Sequence, residues 1–562
     1  MSNKIAILIF IIFSIAALHS QNKIIIPDTL SGSVINLSIS NGEKEFLKGK
    51  KATTIGYNGN YLGKTIILEK GQNVKFNVHN LLDEATSTHW HGLHVAAIND
   101  GSPHNPIMPS AVWSPEFTVL DNAATYWYHP HLHGKTLKQV VKGAAGMIIV
   151  RNDEERALNL PRRYGIDDFP LVLQFLTLND AGNIVDDDEL DNTILVNGAI
   201  NGQLDCPAEW VRLRLLNGSS HRVFNLGFDN NFTFYQIAGD AGLLQKPVPL
   251  TRLMLGSGER AEIILNLSNK EGETLNINQL GNELPVGFPG GPPMGMMGNI
   301  MLGPLDNKKL PFMTIKVLKG NNFNKALPSK LIDSEALPPS SFNRSFSITA
   351  QPMMSMTNFF INNQQFDIEE VNFKTKLGIT ESWTITNQTM MAHPFHVHGN
   401  HFFITQINGQ APPENMKGRK DVVIVPPMNG SVKLVTTFSD FSDTGMPYMY
   451  HCHILSHEDK GMMGQFIITD ETSGVENENN ILKVNIKPNP ASTFIKIEYP
   501  LSSNNDLQVA IYDIQGKLFF KKSHNFNQNL NLIVDISSWP VGPYYLKTTD
   551  VLNIEIAKFF KK

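Results

Sequence analysis

The residues best suited to chemistry lie in one string, His451-Cys452-His453-Ile454-Leu455-Ser456-His457, followed by Gly461-Met462. A thiolate, two imidazoles and a weak axial thioether make the trigonal site that carries single electrons on copper. The string supplies Cys452, His457 and Met462 and leaves one imidazole to be found elsewhere. Side chains alternate faces along an extended strand. Cys452 is therefore expected to point one way, with His451 and His453 pointing the other. One tripeptide can then serve two metal sites, with its own backbone as the electron path between them.

Three further clusters complete the pattern: His89-Trp90-His91, His129-Pro130-His131 and His393-Pro394-Phe395-His396-Val397-His398. With His451 and His453 there are four His-x-His pairs, or eight imidazoles. On a strand, each pair presents both rings on one face. His393 precedes His396 by three residues and can turn to the other side, which makes it the natural second imidazole for Cys452. Ten of the 18 histidines fall at these positions.

The four motifs, in this order, resemble the copper-binding segments of multicopper oxidases of the bacterial laccase and cuprous-oxidase type. The flanking strings Asp100-Gly101-Ser102-Pro103-His104, Gly134-Lys135-Thr136 and Gly258-Glu259-Arg260 belong to the same resemblance, which covers roughly residues 40 to 471. The resemblance implies four copper ions. A type 1 ion would be held by His393, Cys452 and His457 with Met462 axial, and a type 2 ion by His89 and His396. A type 3 pair would be held by His91, His129, His131, His398, His451 and His453. It also implies four one-electron oxidations, entering at His457 and Cys452, coupled to reduction of O2 to water, with Asp100 and Glu458 supplying protons. His94, His104, His133 and His401 lie near the clusters without a copper of their own and are expected to orient the ligand rings.

The implied reductants are phenols or aromatic amines, with Cu(I) as the alternative. Two methionine groups offer soft thioethers to Cu(I). One is Met294, Met296, Met297 and Met301; the other is Met353, Met354 and Met356, with Met390 and Met391 just before His393. Cuprous oxidases of the family carry a long Met- and His-rich insertion and an Asp where this chain has Thr389, and both are missing here. This favours a laccase-like oxidase. A two-domain copper nitrite reductase would have no type 3 ligand set, and a non-enzymatic relative that had lost copper would show gaps. No ligand position is vacant here. A copper-sequestering protein is the non-enzyme alternative.

The elements that must position these side chains read as short β-rich runs, at 65–68, 74–78, 147–150, 171–175, 211–216 and 261–265, punctuated by Gly, Asn and Pro. Such spacing predicts an all-β chain of sandwiches. With the resemblance, it divides into three cupredoxin-like Greek-key β-sandwich domains at 21–155, 156–325 and 326–471. The first and third carry the ligands, so the trinuclear site falls between them, and the second is expected to be a structural spacer. Residues 472–480 read as a linker. Residues 481–562 read as a small C-terminal β-sandwich domain. Its Lys487-Pro488-Asn489-Pro490, Tyr512-Asp513-Ile514-Gln515-Gly516 and Gly542-Pro543-Tyr544-Tyr545 resemble the sorting domain of type IX secretion cargo.

The 562-residue chain has a net charge of −5 and no basic run, which argues against a nucleic-acid partner. Lys4 and the apolar run at residues 5–18 read as a signal peptide over 1–20, cleaved before Gln21, with no stable membrane span in the mature protein. Type IX secretion machinery is then the implied partner, and the destination is outside the cell or on its surface. Copper claims Cys452, so Cys206 is expected to be a small buried hydrophobe with no disulfide.

Overall fold

The computed structural model describes residues 22–186, 191–293, 303–320, 327–351, 358–470, 484–499, 506–513, 517–525, 530–549 and 554–562. The expected signal peptide, the linker at 472–480, the Met294–Met301 and Met353–Met356 groups, and residues 514–516 lie outside these. The chain divides into two compact units, Met1–Asp470 and Glu471–Lys562.

All six runs expected to be strands are strands. Each sits inside a longer one: Thr65–Glu69, Asn73–Asn80, Gly146–Arg151, Asp168–Leu178, Trp210–Asn217 and Arg260–Asn266. The first unit folds into six sheets that pair as three sandwiches. Each pair encloses its own apolar core. Leu37, Phe76, Trp90 and Ile148 belong to the first core, Phe175, Leu213, Phe224 and Ile315 to the second, and Phe346, Trp383, Phe395 and Phe466 to the third. Strand Val34–Leu47 shows how the sequence dictates this: Ile35, Leu37 and Ile39 alternate inward while Val34 and Asn36 face outward. Cys206 is fully buried in the second core, and both cysteines are free thiols.

Six elements carry the chemistry-bearing residues. In the first sandwich these are β1 (His89–His91), β2 (Ala124–His129) and helix α1 (Thr136–Val141). In the third they are β3 (His393–Val397), β4 (Asp443–Cys452) and helix α2 (Leu455–Asp459). Antiparallel pairing of β1 with β2 sets His89 opposite His129. Pairing of β3 with β4 sets His396 opposite His451 and Phe395 opposite Cys452. Only the β1 pair lies wholly on a strand. His131, His398 and His453 lie just beyond the ends of β2, β3 and β4, where the chain is free to bend toward the neighbouring sandwich. The two sandwiches are joined there by Asp459, whose carboxylate accepts from the Thr136 and Leu137 amides at 3.1 and 2.9 Å and so caps α1.

The second unit is a small β domain. A three-stranded and a four-stranded sheet enclose Ile495, Ile497, Val509, Ile511 and Leu546. Among the described residues, no helix is long and apolar enough to cross a membrane.

Candidate metal centre

Strand alternation around Cys452 has the expected result. The thiol faces the interior of the third sandwich, where Cys452 Sγ lies 3.4 Å from His393 Nδ1 and 3.8 Å from His457 Nδ1. Met462 is fully buried in the same core. Its backbone amide donates to the His457 carbonyl at 2.9 Å, and its carbonyl accepts from the Cys452 amide at 3.1 Å, so the Met backbone bridges the two other residues. The Ile454 amide points at Sγ from 3.4 Å. Burial raises the thiol's pKa and lowers that of His393 to about 3 and of His457 well below the usual range. The imidazoles are therefore neutral and able to ligate, and a buried thiol gives up its proton only in exchange for a metal. His393 Nε2–H donates to the Thr389 hydroxyl at 2.8 Å, which in turn donates to Asn387 Oδ1. Phe359 stacks on the His457 ring at 3.7 Å, and His457 retains 7% exposure.

The other eight imidazoles meet between the first and third sandwiches, all buried. His131, His398 and His451 turn their Nε2 atoms into a triangle with three 3.1 Å edges. His91, His129 and His453 form a second group, with His91 Nδ1 3.3 Å from His129 Nε2. His89 and His396 share a third group with His91. With His91 counted in the second group, all four pairs, 89/91, 129/131, 396/398 and 451/453, divide their rings between different groups. This is how two three-imidazole sets and a two-imidazole site arise from four short motifs.

Most of these rings have an oxygen on the nitrogen that faces away from the centre. His89 Nδ1 faces the Asp100 carbonyl at 2.8 Å, His129 Nδ1 the Pro130 carbonyl at 2.8 Å, and His396 Nδ1 the Asp421 carbonyl at 2.8 Å. Asp100 Oδ2 lies 2.7 Å from His398 Nδ1. Glu458 sets one oxygen 3.5 Å from His131 Nδ1 and the other 3.3 Å from His451 Nδ1. Burial pushes the Glu458 carboxyl well above the usual carboxylate range. Anchoring one ring nitrogen as a donor leaves the other a lone pair. Neutral lone pairs 3.1 Å apart repel each other unless a cation lies between them. His89 Nε2, His396 Nε2 and both nitrogens of His453 have no hydrogen-bond partner. Buried polar atoms without partners are rare and need explaining; a metal on these lone pairs explains them. The donor set, neutral imidazole with one thiol, suits copper.

The ten predicted histidines and Cys452 thus gather into two sites, with Met462 buried in the core beside the first, and both carboxylates lie against rings of the second. Two expectations need correction. The neighbouring histidines do not orient ligand rings: His104 bonds Gln465 Oε1, His94 bonds Asp440, His401 bonds the Gly92 carbonyl, and His133 packs on Phe366. Backbone carbonyls and acids take that role, because they can reach Nδ1 without adding bulk. The second sandwich is also more than a spacer. Its Gly258, at φ +83°, lies so close to His453 that a Cβ would meet the ring at 3.0 Å. Its Arg260 clasps Asp421, whose Oδ1 lies 3.2 Å from His91 Nε2. Asp421 carries no motif of its own, and Arg260 stood out only as part of the Gly-Glu-Arg string.

The sequence matches the multicopper oxidase family over residues 38–155 and 338–472, and a secretion system C-terminal sorting domain over 485–562. Multicopper oxidase mco of Staphylococcus haemolyticus is 35% identical over 471 residues, covering 80% of this chain and 94% of the relative. Cell division protein FtsP of Escherichia coli is 30% identical over 464 residues, covering 81% and 94%. The solved structure of a laccase-like multi-copper oxidase, CueO, from Ochrobactrum sp. is similar with a TM-score of 0.70 at 30% identity, covering 79% of this chain and 100% of that one.

Proposed function

The chain belongs to the multicopper oxidase family, and from that premise we propose that it is a secreted, laccase-like oxidase with four copper ions. The observation that carries the reading is the convergence of ten imidazoles and one thiol on two buried sites that share the segment 451–453. His393, Cys452 and His457 would hold the type 1 ion, with the Met462 thioether as a further soft donor. His89 and His396 hold the type 2 ion on their unpartnered Nε2 atoms. The sets His91/His129/His453 and His131/His398/His451 each hold one ion of the type 3 pair.

Bound copper supplies one-electron exchange at the sulfur site and four-electron reduction of O2 to two waters at the imidazole site. Everything else falls to the protein. His457, the ligand with an exposed edge, receives electrons from the reductant. Cys452 passes them through its own backbone to His451 and His453, one in each three-imidazole set. Each O2 consumes four protons. Asp100 and Glu458, in contact with His398, His131 and His451, hold and deliver them.

Phenols or aromatic amines are the favoured reductants. Thr389 gives His393 a neutral hydroxyl partner where a cuprous oxidase would have an acid. The Ochrobactrum relative is described with oxidase activity towards lignin model compounds and lignosulfonate. Cu(I) oxidation is the second reading, favoured by Met390, which is 41% exposed just before His393. For localisation, residues 1–20 act as an export signal and the C-terminal domain is recognised by type IX secretion machinery. The test is O2 uptake by the copper-loaded protein with Cu(I) and a methoxyphenol as competing reductants. Faster uptake with the phenol is expected. Uptake driven mainly by Cu(I) moves the role to copper tolerance. Copper binding without uptake makes it a sequestering protein.

A further inference from the structure

Of the eight imidazoles between the sandwiches, one is held the opposite way round from the others. His89, His129, His131, His396, His398 and His451 all turn Nδ1 toward an oxygen, which leaves Nε2 for the metal. His453 has no partner on either nitrogen. His91 alone is held by Nε2, through Asp421 Oδ1 at 3.2 Å, and turns Nδ1 toward His129. The two tautomers of a neutral imidazole are close in energy, so the hydrogen bond on one nitrogen decides which nitrogen can ligate.

We propose that Asp421, clamped by Arg260 of the second sandwich, is the positioning residue that fixes His91 as an Nδ1 ligand and so completes the trinuclear site. The proposal rests on the ligand reading above and adds a residue pair to it. Asp421 serves two rings at once: its carboxylate accepts from His91, and its backbone carbonyl accepts from His396 at 2.8 Å. Its carboxylate would be free to rotate without Arg260. Arg260 Nη1 and Nη2 hold Oδ1 and Oδ2 at 2.6 and 2.5 Å in a two-pronged grip.

Arg260 is itself immobilised. Its Nε–H donates to the Thr125 carbonyl at 3.1 Å, and its remaining Nη donors reach the Gly258 carbonyl at 3.0 Å and the Asp240 carbonyl at 2.8 Å. All five guanidinium N–H groups are thereby used, on the first, second and third sandwiches together. Behind it, Lys420 bridges Asp240 and Glu259 at 2.9 and 2.8 Å. Gly92, next to His91, has φ +88°, and a Cβ there would lie 2.6 Å from both Arg260 Nη2 and Asp421 Oδ2. Only a glycine leaves room beside the pair at this position. Lysine cannot reproduce this grip, since its ammonium is a point donor without the planar fork.

Two variants test the idea, Asp421→Asn and Arg260→Lys, each compared with wild type during copper loading. Asparagine keeps the carbonyl to His396 and the shape of the side chain. It offers one acceptor where two Arg260 donors and the His91 N–H must be met, so a donor faces a donor. Type 1 loading is read from the blue absorption, and type 2 and type 3 loading from electron paramagnetic resonance and the near-ultraviolet band. Both variants should develop the full blue band while affinity at the trinuclear site falls by about 10- to 100-fold. Trinuclear affinity equal to wild type in both would overturn the proposal, as would loss of the blue band in parallel with the rest. Should Asp421→Asn not fold, Arg260→Lys, which keeps the charge, decides alone. A wild-type protein that never shows both sets of signals refutes the ligand reading instead.

Discussion

The sulfur site and the imidazole site share three consecutive residues yet are built from opposite materials. Around Cys452 the neighbours are Phe359, Phe395, Ile454 and Met462; a backbone amide donates toward the sulfur, and a threonine hydroxyl accepts from His393. Among the described residues, no carboxylate bonds to a ligand there. Around the eight imidazoles stand Asp100, Asp421 and Glu458, all fully buried, each against at least one ring. The difference follows the chemistry. A site that only exchanges electrons works best when few dipoles must reorient, so an apolar wall suits it. Under the proposed function the imidazole site takes up protons, and Asp100 and Glu458 stand against its rings to supply them, while Asp421 faces His91.

Breaking the shared segment should have the largest effect. Cys452→Ser removes the soft ligand and the electron path together. Blue colour should vanish and O2 uptake should fall to the background of the reductant alone. Retained oxidase activity in that variant would end the division of labour described above. Next in size is a variant that separates protons from electrons. Glu458→Gln keeps the shape and removes the acid, while Asp459 still caps α1. Copper content, the blue band and its anaerobic bleaching by a reductant should be unchanged. Steady-state O2 turnover should fall by about 100-fold, in the range for one lost general acid. Slower anaerobic bleaching would mean that Glu458 also serves the sulfur site, and the comparison would fail on that point.

How much of this was legible in the chain depends on the distance over which each feature acts. The two-faced use of segment 451–453 was expected from strand alternation, and the ligand positions were implied by the family resemblance of four local motifs. The strands themselves were marked by apolar alternation, as at Ile35, Leu37 and Ile39. The sorting of six imidazoles into two sets was not legible. It depends on how His131, His398 and His453 bend past their strand ends to meet across two sandwiches. The Arg260–Asp421 clasp was equally hidden, because its partners are 161 residues apart and neither belongs to a His-x-His motif. The expectation that the second sandwich is a spacer failed for the same reason. It donates no ligand, so a search for ligands passes over the arginine that bonds Asp421 beside His91.

The smallest expected effects lie at the sulfur site and test whether its neutral surroundings matter. Met462→Leu should keep the blue colour and raise the potential, because the oxidised ion loses its weak axial donor. Thr389→Asp should shift it the other way. The Thr389 hydroxyl accepts from His393 Nε2–H at 2.8 Å as a neutral group. A carboxylate in its place would make that bond charge-assisted, stronger by about 1 kcal/mol. The N–H is more acidic when the ring is bound to the oxidised ion, so the gain falls mainly on that state. For a one-electron couple this lowers the potential by about 40 mV. Redox titration of the blue band reads both shifts. A Thr389→Asp protein with an unchanged potential would mean that the new acid is protonated in its apolar surroundings. It would then behave as the hydroxyl does, and the neutrality of the sulfur site would be enforced by the fold rather than by the choice of residue.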